Sequence, residues 1–365
     1  MLQKLIASAP STLIVTLPSP NVISVVLNRP KAFNALSLPQ AAYLKELYAN
    51  LTPDVTVIME GADTGKKTKS FCSGGDVREI WEEGMWRWQG KADAPNPPPP
   101  VDGTSTFFHT EYQMNTLISL HPTQISIWDG ICMGGGVGLS IHGSHRISTS
   151  RTVFAMPETG IGLFPDVGGS AWLPRLEDGW GYYLGLTGER IGGRTARRLG
   201  VSNVHVEEWT KEIRDQVVGR VGRGESVESV MKDVDEGGDE KGGLDEVVKE
   251  CFDGKEELEE VWEALEANGG DIATKVREGM RGKSETSMRV TFEQLKRGKG
   301  YGGDMEKCMA MEFNVGQNIL REKDGDFYEG IRAVLVDKDM NPKWKEWEGN
   351  VERYFERGDW EEWKM

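Results

Sequence analysis

A glycine triplet is the stretch of this sequence best suited to chemistry. Gly134, Gly135 and Gly136 come between the runs ICM and VGL, where a strand should turn into a helix. Because glycine has no side chain, the backbone N–H groups of such a turn can approach a ligand closely. The N-terminus of the following helix adds a partial positive charge. The triplet therefore suits a site where negative charge develops on an oxygen atom.

Two acids follow the triplet along the chain. Glu158 and Asp166 each come directly after a proline, in a glycine-rich stretch. Carboxylates in apolar, turn-rich surroundings are more often working groups than solvated surface charges. A tight turn followed by an ordinary loop explains these residues equally well, because glycine clusters are common.

A second glycine turn precedes the first. In the run FCSGGD, Gly74 and Gly75 follow a short apolar run and come before Asp76 and a predicted helix. Two such turns, each after a strand, could place two N–H donors on one oxygen, which is the geometry of an oxyanion hole. The pair is a more specific signal than either turn alone.

Length, charge and cysteine usage bound the class of protein. A chain of 365 residues can bury a large core and fits one large domain with an appendage. The net charge of −15 argues against nucleic acid, or an anionic membrane surface, as the main partner. His142 and His145 are closely spaced, and a structural role is favoured for them over a metal pair. The cysteines lack CxxC spacing, which predicts free thiols without a zinc site: Cys72, Cys132, Cys251 and Cys308.

Targeting signals are not recognisable in the sequence. No apolar run is long enough to cross a bilayer. The opening stretch MLQKLIASAPSTLIVTL resembles neither a secretory signal nor an Arg-rich transit peptide. The closing EEWKM is neither a peroxisomal nor an ER-retention signal.

The elements that must position these residues favour a mixed α/β fold. Residues 13–17 and 22–27 are rich in β-branched residues and are separated by the turn signal PSPN. Ser37 and Gln40 have capping-box spacing, and the apolar stripe after them predicts a helix. A strand predicted at 55–59 completes a β-β-α-β order.

Further strands lead to the candidate site. They are predicted at residues 123–128, 145–148 and 153–155; the first delivers the glycine triplet and the last delivers Glu158. A helix is predicted at residues 107–120. It carries Glu111, which by its position alone is best explained as a solvated helix charge.

Two regions interrupt this order. Residues 81–103 are rich in tryptophan and proline, and we predict a loop or insertion there, a packed surface excursion rather than a lid. Residues 222–272 are rich in Gly, Asp, Glu and Lys and predict an acidic insertion with an amphipathic helix. We therefore divide the chain into a core of residues 1–195 and a helical C-terminal region of residues 196–365. Further helices are predicted at residues 287–295 and 308–320.

Several motifs carry a family resemblance. The runs LNRPKAFNAL, FCSGGD and GICMGGGVGL, with the proline-acid loop after them, resemble the crotonase (enoyl-CoA hydratase/isomerase) superfamily. The runs MPETGIGLFPDVGGSAWLPRL and EGIRAVLVDKDMNPKW are similar to those of the 3-hydroxyisobutyryl-CoA hydrolases, and are the more specific match. The resemblance covers about residues 13–345. It implies the ββα superhelix of the crotonase fold with a helical C-terminal region.

The resemblance also implies site residues. The superfamily holds a coenzyme A thioester carbonyl with two backbone amides, and Ser73 and Gly135 stand at those positions. Glu158 matches the catalytic glutamate, Asp166 the second catalytic acid, and Glu111 a substrate-binding glutamate. Further substrate contacts are implied by the glycine turns and by a lysine near the nucleotide: Gly134, Gly74, Gly75, Asp76 and Lys31. Nearby lysines, in a loop that departs from the family in length, could serve the same purpose: Lys66, Lys67 and Lys69.

One departure favours hydrolysis over hydration. Hydratases that resemble this chain carry a carboxylate shortly after the glycine triplet, where this sequence has Gly138. Without that acid, attack on the thioester carbonyl is favoured over water addition to an alkene. The resemblance then implies hydrolysis of 3-hydroxyisobutyryl-CoA in valine catabolism, in mitochondria. Coenzyme A is part of the substrate, and no separate cofactor or metal is implied. Crotonase relatives often form trimers or dimers of trimers, so the resemblance is also compatible with a homo-oligomer.

Two alternatives stay open at this point. One is an enoyl-CoA hydratase or isomerase, and the other is a non-catalytic subunit of the mitochondrial ribosome. The presence of both acids, and the acidic chain, weigh against the ribosomal role.

Overall fold

The computed structural model describes residues 2–65, 67–89, 103–358, 360 and 362–365. In this part of the chain the strands are β1 Leu13–Ser19, β2 Val22–Leu27, β3 Thr56–Gly61, β4 Ser70–Cys72, β5 Gln124–Trp128, β6 Ile131–Met133, β7 His145–Thr149, β8 Val153–Ala155, β9 Ile191–Gly192 and β10 Val204–Val206. The strands predicted from the sequence are all present, with ends displaced by a few residues at most.

Helices make up most of the remaining regular structure. They are α1 Leu2–Ala7, α2 Leu38–Ala49, α3 Val77–Gln89, α4 Gly103–Leu120, α5 Gly135–Gly138, α6 Gly169–Trp172, α7 Trp180–Thr187, α8 Gly193–Arg198, α9 Lys211–Gly222, α10 Val227–Val234, α11 Gly243–Phe252, α12 Leu258–Asn268, α13 Asp271–Arg281, α14 Glu285–Gly300, α15 Met305–Leu320 and α16 Asp326–Ile331. Short 3₁₀ turns and a π turn at Arg332–Val336 connect some of them.

The chain divides into two units, each assembled from three stretches. Unit 1 comprises Met1–Gly75, Gln113–Ala155 and Arg190–Glu240. Unit 2 comprises Asp76–Tyr112, Met156–Glu189 and Lys241–Met365. The boundary near residue 195 between a core and a helical region stays a prediction.

Unit 1 is built on two sheets. The larger sheet has the order β1-β2-β3-β5-β7-β10, in which β1 and β2 are antiparallel and the remaining neighbours are parallel. The smaller sheet has the order β4-β6-β8-β9, with β4, β6 and β8 parallel. Strands of the larger sheet and helices α9 and α10 share one buried apolar cluster, which includes Ile58, Ile125, Ile147, Val217 and Val230. The predicted mixed α/β class is confirmed.

Unit 2 is mainly helical. The amphipathic helix predicted within residues 222–272 is present as α12, and the helices predicted at 287–295 and 308–320 lie inside α14 and α15. Each buries an apolar stripe, such as Val290 and Leu295 on α14 and Val315 and Ile319 on α15. The helical C-terminal region is thus present as predicted.

The segment 81–103 differs in part from the prediction. Residues 81–89 are not a loop but the continuation of α3. The helix is anchored in unit 2, where Trp81 donates a hydrogen bond from Nε1 to the Tyr328 carbonyl oxygen (2.9 Å), and Ile80 is buried. The loop prediction for residues 81–89 followed from the tryptophan and proline content of the whole segment 81–103. The proline run 97–100 lies outside the described residues.

No described helix has the length and apolar character needed to cross a membrane.

Candidate active site

The loop LNRPKAFNAL is pinned by a buried asparagine. Asn34 has the left-handed φ of 58° and donates from Nδ2 to the carbonyl oxygens of Ala62 (3.0 Å) and Ser70 (2.9 Å). Its Oδ1 accepts from the Arg29 amide (3.1 Å). Asparagine tolerates this backbone conformation better than most residues, and its amide satisfies polar backbone that is out of contact with water. Asn34 therefore fixes the loop against the start of β4.

The two glycine turns lie side by side at the ends of neighbouring strands. β4 and β6 are parallel, with Cys72 opposite Cys132, so their carboxyl ends meet at one edge of the smaller sheet. A side chain on Gly74, whose φ is 118°, would come within 3.8 Å of the Gly135 amide nitrogen. The pairing of the turns that the sequence predicts is therefore present within unit 1.

Gly136 is required by close packing. A Cβ atom at this position would lie 2.4 Å from the Cys72 carbonyl oxygen, far inside van der Waals contact. Gly134 has φ 48° and ψ −120°, a conformation that side chains disfavour. The triplet thus brings α5 directly against β4.

The two predicted oxyanion donors differ in availability. The Gly135 amide, at the first position of α5, has no hydrogen-bond acceptor in the described part of the chain. The Ser73 amide donates to the Phe33 carbonyl oxygen at 3.1 Å, and that same oxygen accepts from the Ser70 hydroxyl at 2.7 Å. Gly135 is therefore the donor free to meet a ligand, and Ser73 would have to share its N–H.

The remaining predicted contacts of unit 1 surround these turns. Gly75 bridges to Leu36, which follows the Asn34 loop. Lys31 is exposed in a 3₁₀ turn at Pro30–Ala32. Lys69 forms an ion pair with Asp129 at 3.6 Å. Lys67 is exposed, and Lys66 lies outside the described residues.

Asp76 is the first residue of unit 2. Its carbonyl oxygen accepts from the amides of Glu79 (3.0 Å) and Ile80 (3.4 Å), which starts α3. Its role as a substrate contact stays a prediction.

Three predicted acids come together inside unit 2. Glu111 on α4, Glu158 in the 3₁₀ turn that follows β8, and Asp166 in the next loop are 1%, 4% and 4% exposed. Glu111 interacts electrostatically with both other acids, and Glu158 does so with Asp166. Glu111 is therefore not a solvated helix charge, as its position alone suggested; it belongs to a buried group of carboxyls.

Burial and mutual repulsion hold protons on this group. The pKa values of Glu111 and Glu158 are raised well above the usual range for glutamate, first by burial and then by the neighbouring acids. Burial also raises the pKa of Asp166 to about 7, against the opposing effect of a hydrogen bond from Tyr112. Acids that exchange protons near neutrality are suited to general acid–base chemistry.

Two carboxyl oxygens of the group are unpaired. Glu111 Oε1 and Glu158 Oε2 are out of contact with water and have no hydrogen-bond partner among the described residues. Buried polar atoms in proteins are almost always paired, so such orphans indicate atoms that meet a ligand or water. These two oxygens are therefore the atoms of the group that are available to a ligand or to water.

Sequence reasoning missed two residues that contact this group. Tyr112 donates from its hydroxyl to Asp166 Oδ2 at 2.8 Å. Glu312, on α15, is fully buried and accepts hydrogen bonds from the loop after Asp166. Glu312 lies about 150 residues after Glu158 and Asp166 and about 200 after Glu111, so no local pattern joins it to them. The available signal was a glutamate within the apolar run MAMEFNVG.

The histidines and cysteines do not form a metal centre in the described residues, where no group of three or more His, Cys, Asp or Glu could hold a metal ion. His145 Nδ1 lies 2.9 Å from the Ser144 hydroxyl. The cysteines are buried, free thiols: Cys72, Cys132, Cys251 and Cys308.

Fold and site together define a class of protein. Residues 22–351 match the sequence profile of the enoyl-CoA hydratase/isomerase family. The match covers most of the chain, and the chain belongs to this family, whose members include the crotonase-fold enzymes that act on acyl-CoA thioesters.

Individual relatives narrow the class. The chain is 37% identical over 341 residues to a protein of Dictyostelium discoideum named 3-hydroxyisobutyryl-CoA hydrolase, mitochondrial, with 88% of this chain and 84% of the relative covered. A human protein of the same name is 36% identical over 339 residues, with 88% and 81% covered. Within its family the chain thus groups with the 3-hydroxyisobutyryl-CoA hydrolases.

Solved structures agree on the fold. The chain is similar to a carnitinyl-CoA dehydratase from Mycobacterium thermoresistibile, with a TM-score of 0.80 and 30% identity over 96% of this chain and 98% of that one. It is also similar to an enoyl-CoA hydratase from Rhodobacter sphaeroides 2.4.1, with a TM-score of 0.74 and 26% identity over 95% and 98%. The predicted crotonase fold is confirmed.

Proposed function

We propose that this chain hydrolyses 3-hydroxyisobutyryl-CoA to 3-hydroxyisobutyrate and free coenzyme A. The observation that carries the proposal is the buried group of Glu111, Glu158 and Asp166, in which burial raises the pKa of each carboxyl and brings that of Asp166 to about 7, a value suited to proton transfer near neutral pH. The relatives named for this activity, at 35–37% identity over 88% of the chain, support the choice of substrate.

For the oxyanion side of the reaction we propose the glycine turns that carry Ser73 and Gly135. The free Gly135 amide would donate to the thioester oxygen as it becomes negative. Ser73 would be the second donor, sharing its N–H between the substrate and the Phe33 carbonyl. Such donors are each worth about 3 kcal/mol of barrier in other oxyanion holes.

Glu158 drives the attack on the carbonyl carbon. In its ionised form it either takes a proton from the attacking water or itself attacks to give a mixed anhydride, which water then hydrolyses. In both routes the carbon–sulfur bond breaks and the coenzyme A sulfur leaves as a thiolate that takes up a proton. A single turnover in ¹⁸O-water tests the anhydride route, because label enters the Glu158 side chain only when water attacks the Glu158 carbonyl of a mixed anhydride.

The hydroxyl of the substrate would meet Glu111 and Asp166. Glu111 Oε1 is an orphan acceptor suited to a hydroxyl donor, and Asp166 is held by Tyr112 where it can exchange a proton. A buried acceptor left unpaired by the wrong substrate costs binding energy. The site would therefore prefer 3-hydroxyacyl esters to plain acyl esters.

Compartment, partners and residue roles complete the proposal. The relatives are named mitochondrial, which supports a mitochondrial enzyme of valine breakdown. Lys31 and the polar residues near the glycine turns would contact the nucleotide part of coenzyme A. Assembly into a homo-oligomer and the absence of a separate cofactor stay predictions.

A thiol-release assay tests the substrate. We expect kcat/KM for 3-hydroxyisobutyryl-CoA to exceed that for isobutyryl-CoA, which lacks only the hydroxyl, by roughly 10²–10⁴. 3-Hydroxypropionyl-CoA tests whether the methyl group matters. Equal rates with isobutyryl-CoA would contradict the proposed selectivity.

Crotonyl-CoA tests the rival reaction, which the two dehydratase- and hydratase-named structures raise. A hydratase would remove the absorbance of the conjugated double bond without releasing thiol. With crotonyl-CoA we expect neither loss of absorbance nor thiol release at a rate comparable to the hydrolysis of 3-hydroxyisobutyryl-CoA. Gly138 stands where a hydratase would need an acid.

A further inference from the structure

The backbone directly after Asp166 is strained. Val167 has φ 51°, in the left-handed region, where a β-branched residue is a genuine outlier. Gly168 follows with φ 82°. Conformations of this kind persist only where the surrounding structure holds them, and they collect at functional sites. Something in unit 2 must therefore hold this turn, which aims the Asp166 carboxyl.

Glu312 is the group that holds it. Glu312 Oε2 accepts from the Gly168 amide at 2.7 Å, and Oε1 accepts from the Ser170 amide at 2.9 Å and the Ser170 hydroxyl at 2.6 Å. Both carboxyl oxygens thus hold the turn on the C-terminal side of Val167. On the N-terminal side, Gln294 Nε2 donates to the Pro165 carbonyl oxygen at 2.6 Å.

The position of Glu312 is costly. The residue lies inside α15, is 0% exposed, and has apolar neighbours in sequence on both sides. Burial raises the pKa of Glu312 to about 8, and the hydrogen bonds from Ser170 and Gly168 oppose that rise. A leucine or methionine would suit this helix better if only packing mattered. The three hydrogen bonds to one strained turn explain why a carboxyl is present.

We propose that Glu312 is a positioning residue for the reaction: it clamps the Val167–Ser170 turn and so fixes the Asp166 carboxyl against the Tyr112 hydroxyl. This inference rests on the proposed function, since it assigns Glu312 a role through Asp166. Glu312 does not touch the reacting atoms. Its loss would therefore change turnover more than substrate binding.

The test compares Glu312→Gln with Glu306→Gln, an exposed glutamate at the start of the same helix. In Glu312→Gln one oxygen becomes an NH₂ group that faces an N–H donor, so the turn loses part of its clamp. We expect kcat for 3-hydroxyisobutyryl-CoA to fall about 100-fold. KM should change less than threefold, and Glu306→Gln should behave as wild type.

A second substitution separates positioning from simple stabilisation. Glycine adopts φ 51° without strain, so the turn needs less clamping in the Val167→Gly background. There, Glu312→Gln should cost only about 10-fold in kcat. An equal cost in both backgrounds, or a folded Glu312→Gln within threefold of wild-type kcat, overturns the proposal.

Crystal structures of the variants keep the two proposals separable. If the wild-type protein releases no coenzyme A from this ester, the proposed function fails, and the clamp is then judged on geometry. The clamp is supported if the Val167–Ser170 turn is displaced in Glu312→Gln and restored when Val167→Gly is added. A turn that does not move in Glu312→Gln overturns the clamp. Should Glu312→Gln not fold, Ser170→Ala removes one of the three bonds, and the clamp then requires a drop in kcat of roughly 3- to 10-fold.

Discussion

Single carboxyl oxygens define the candidate chemistry at the residue scale. Glu158 is buried with one oxygen unpaired and its pKa raised by burial and by Asp166. Such a group costs stability in the free protein, because an unpaired buried acceptor gives up its hydration. That cost is understandable if Glu158 Oε2 meets water or the substrate during the reaction.

Glu158→Gln tests this role. The amide keeps the shape of the side chain but neither takes up a proton nor attacks the carbonyl, so we expect kcat to fall at least about 10³-fold. The affinity for a non-hydrolysable thioether analogue, measured by calorimetry, should stay within a few-fold of the wild-type value. Activity near the wild-type value would remove Glu158 from the mechanism.

How far the sequence predicts the site depends on how local each signal is. Glu158 and Asp166 carry theirs within a few residues, as an acid beside proline and glycine. Glu111 does not: on helical spacing it is an exposed charge, and only the family resemblance assigned it to the site. Tyr112 and Glu312 were missed because their contacts with the Asp166 loop depend on tertiary packing.

At the scale of elements, a strand followed by a glycine turn recurs at β4 and β6. Since the two strands are parallel neighbours, their turns meet at one edge, and α5 packs on β4 without space for a side chain. The sequence predicted both turns because glycine clusters after apolar runs are local signals. It did not predict the continuation of α3 to residue 89, since the contacts of Trp81 that support this helix come from the distant Tyr328.

Gly136→Ala tests the packing of this element. Its Cβ would lie 2.4 Å from a backbone oxygen of β4, so the turn must move, at a cost of about 1–3 kcal/mol. For a chain of this size we expect Tm to fall by roughly 1–4 °C, measured by calorimetry. Gly300→Ala is the matched control, because a Cβ there meets nothing within 4 Å. A Gly136→Ala protein as stable and active as that control would show that close approach is not needed.

At the scale of the whole molecule, excess negative charge and ionisation of the buried acids both lower the stability of the folded protein. The net charge is −15, and the pKa values of Glu111 and Glu158 are higher in the folded than in the unfolded chain. An acid with a raised folded pKa contributes its full stability below its unfolded pKa, and that contribution is lost as pH rises through the folded pKa. The protein should therefore lose stability as pH rises from about 5 through neutrality.

Thermal unfolding at pH 6.0 and 8.5 separates the destabilisation caused by surface charge from that caused by the buried acids. Salt at about 0.5 M screens the surface repulsion but reaches buried carboxyls poorly. We expect a lower Tm at pH 8.5 even in high salt, and a smaller difference in Glu111→Gln, which removes one titrating group from the buried set. Glu306→Gln, on the surface, should leave the difference unchanged. A Glu111→Gln variant with the full wild-type difference would show that the buried acids do not titrate in this range.

Neither unit is continuous in the chain, and this has a consequence for synthesis on the ribosome. Unit 1 cannot close until residues up to Glu240 have emerged, and unit 2 waits for stretches as far as Met365. Until then, apolar strands and helix faces are exposed to chaperones and proteases, the period in which large proteins aggregate. Truncating mutations shortly after residue 240 should therefore leave unit 2 unable to assemble. The buried cluster of Glu111, Glu158 and Asp166 would then not form, although all three residues have already been translated.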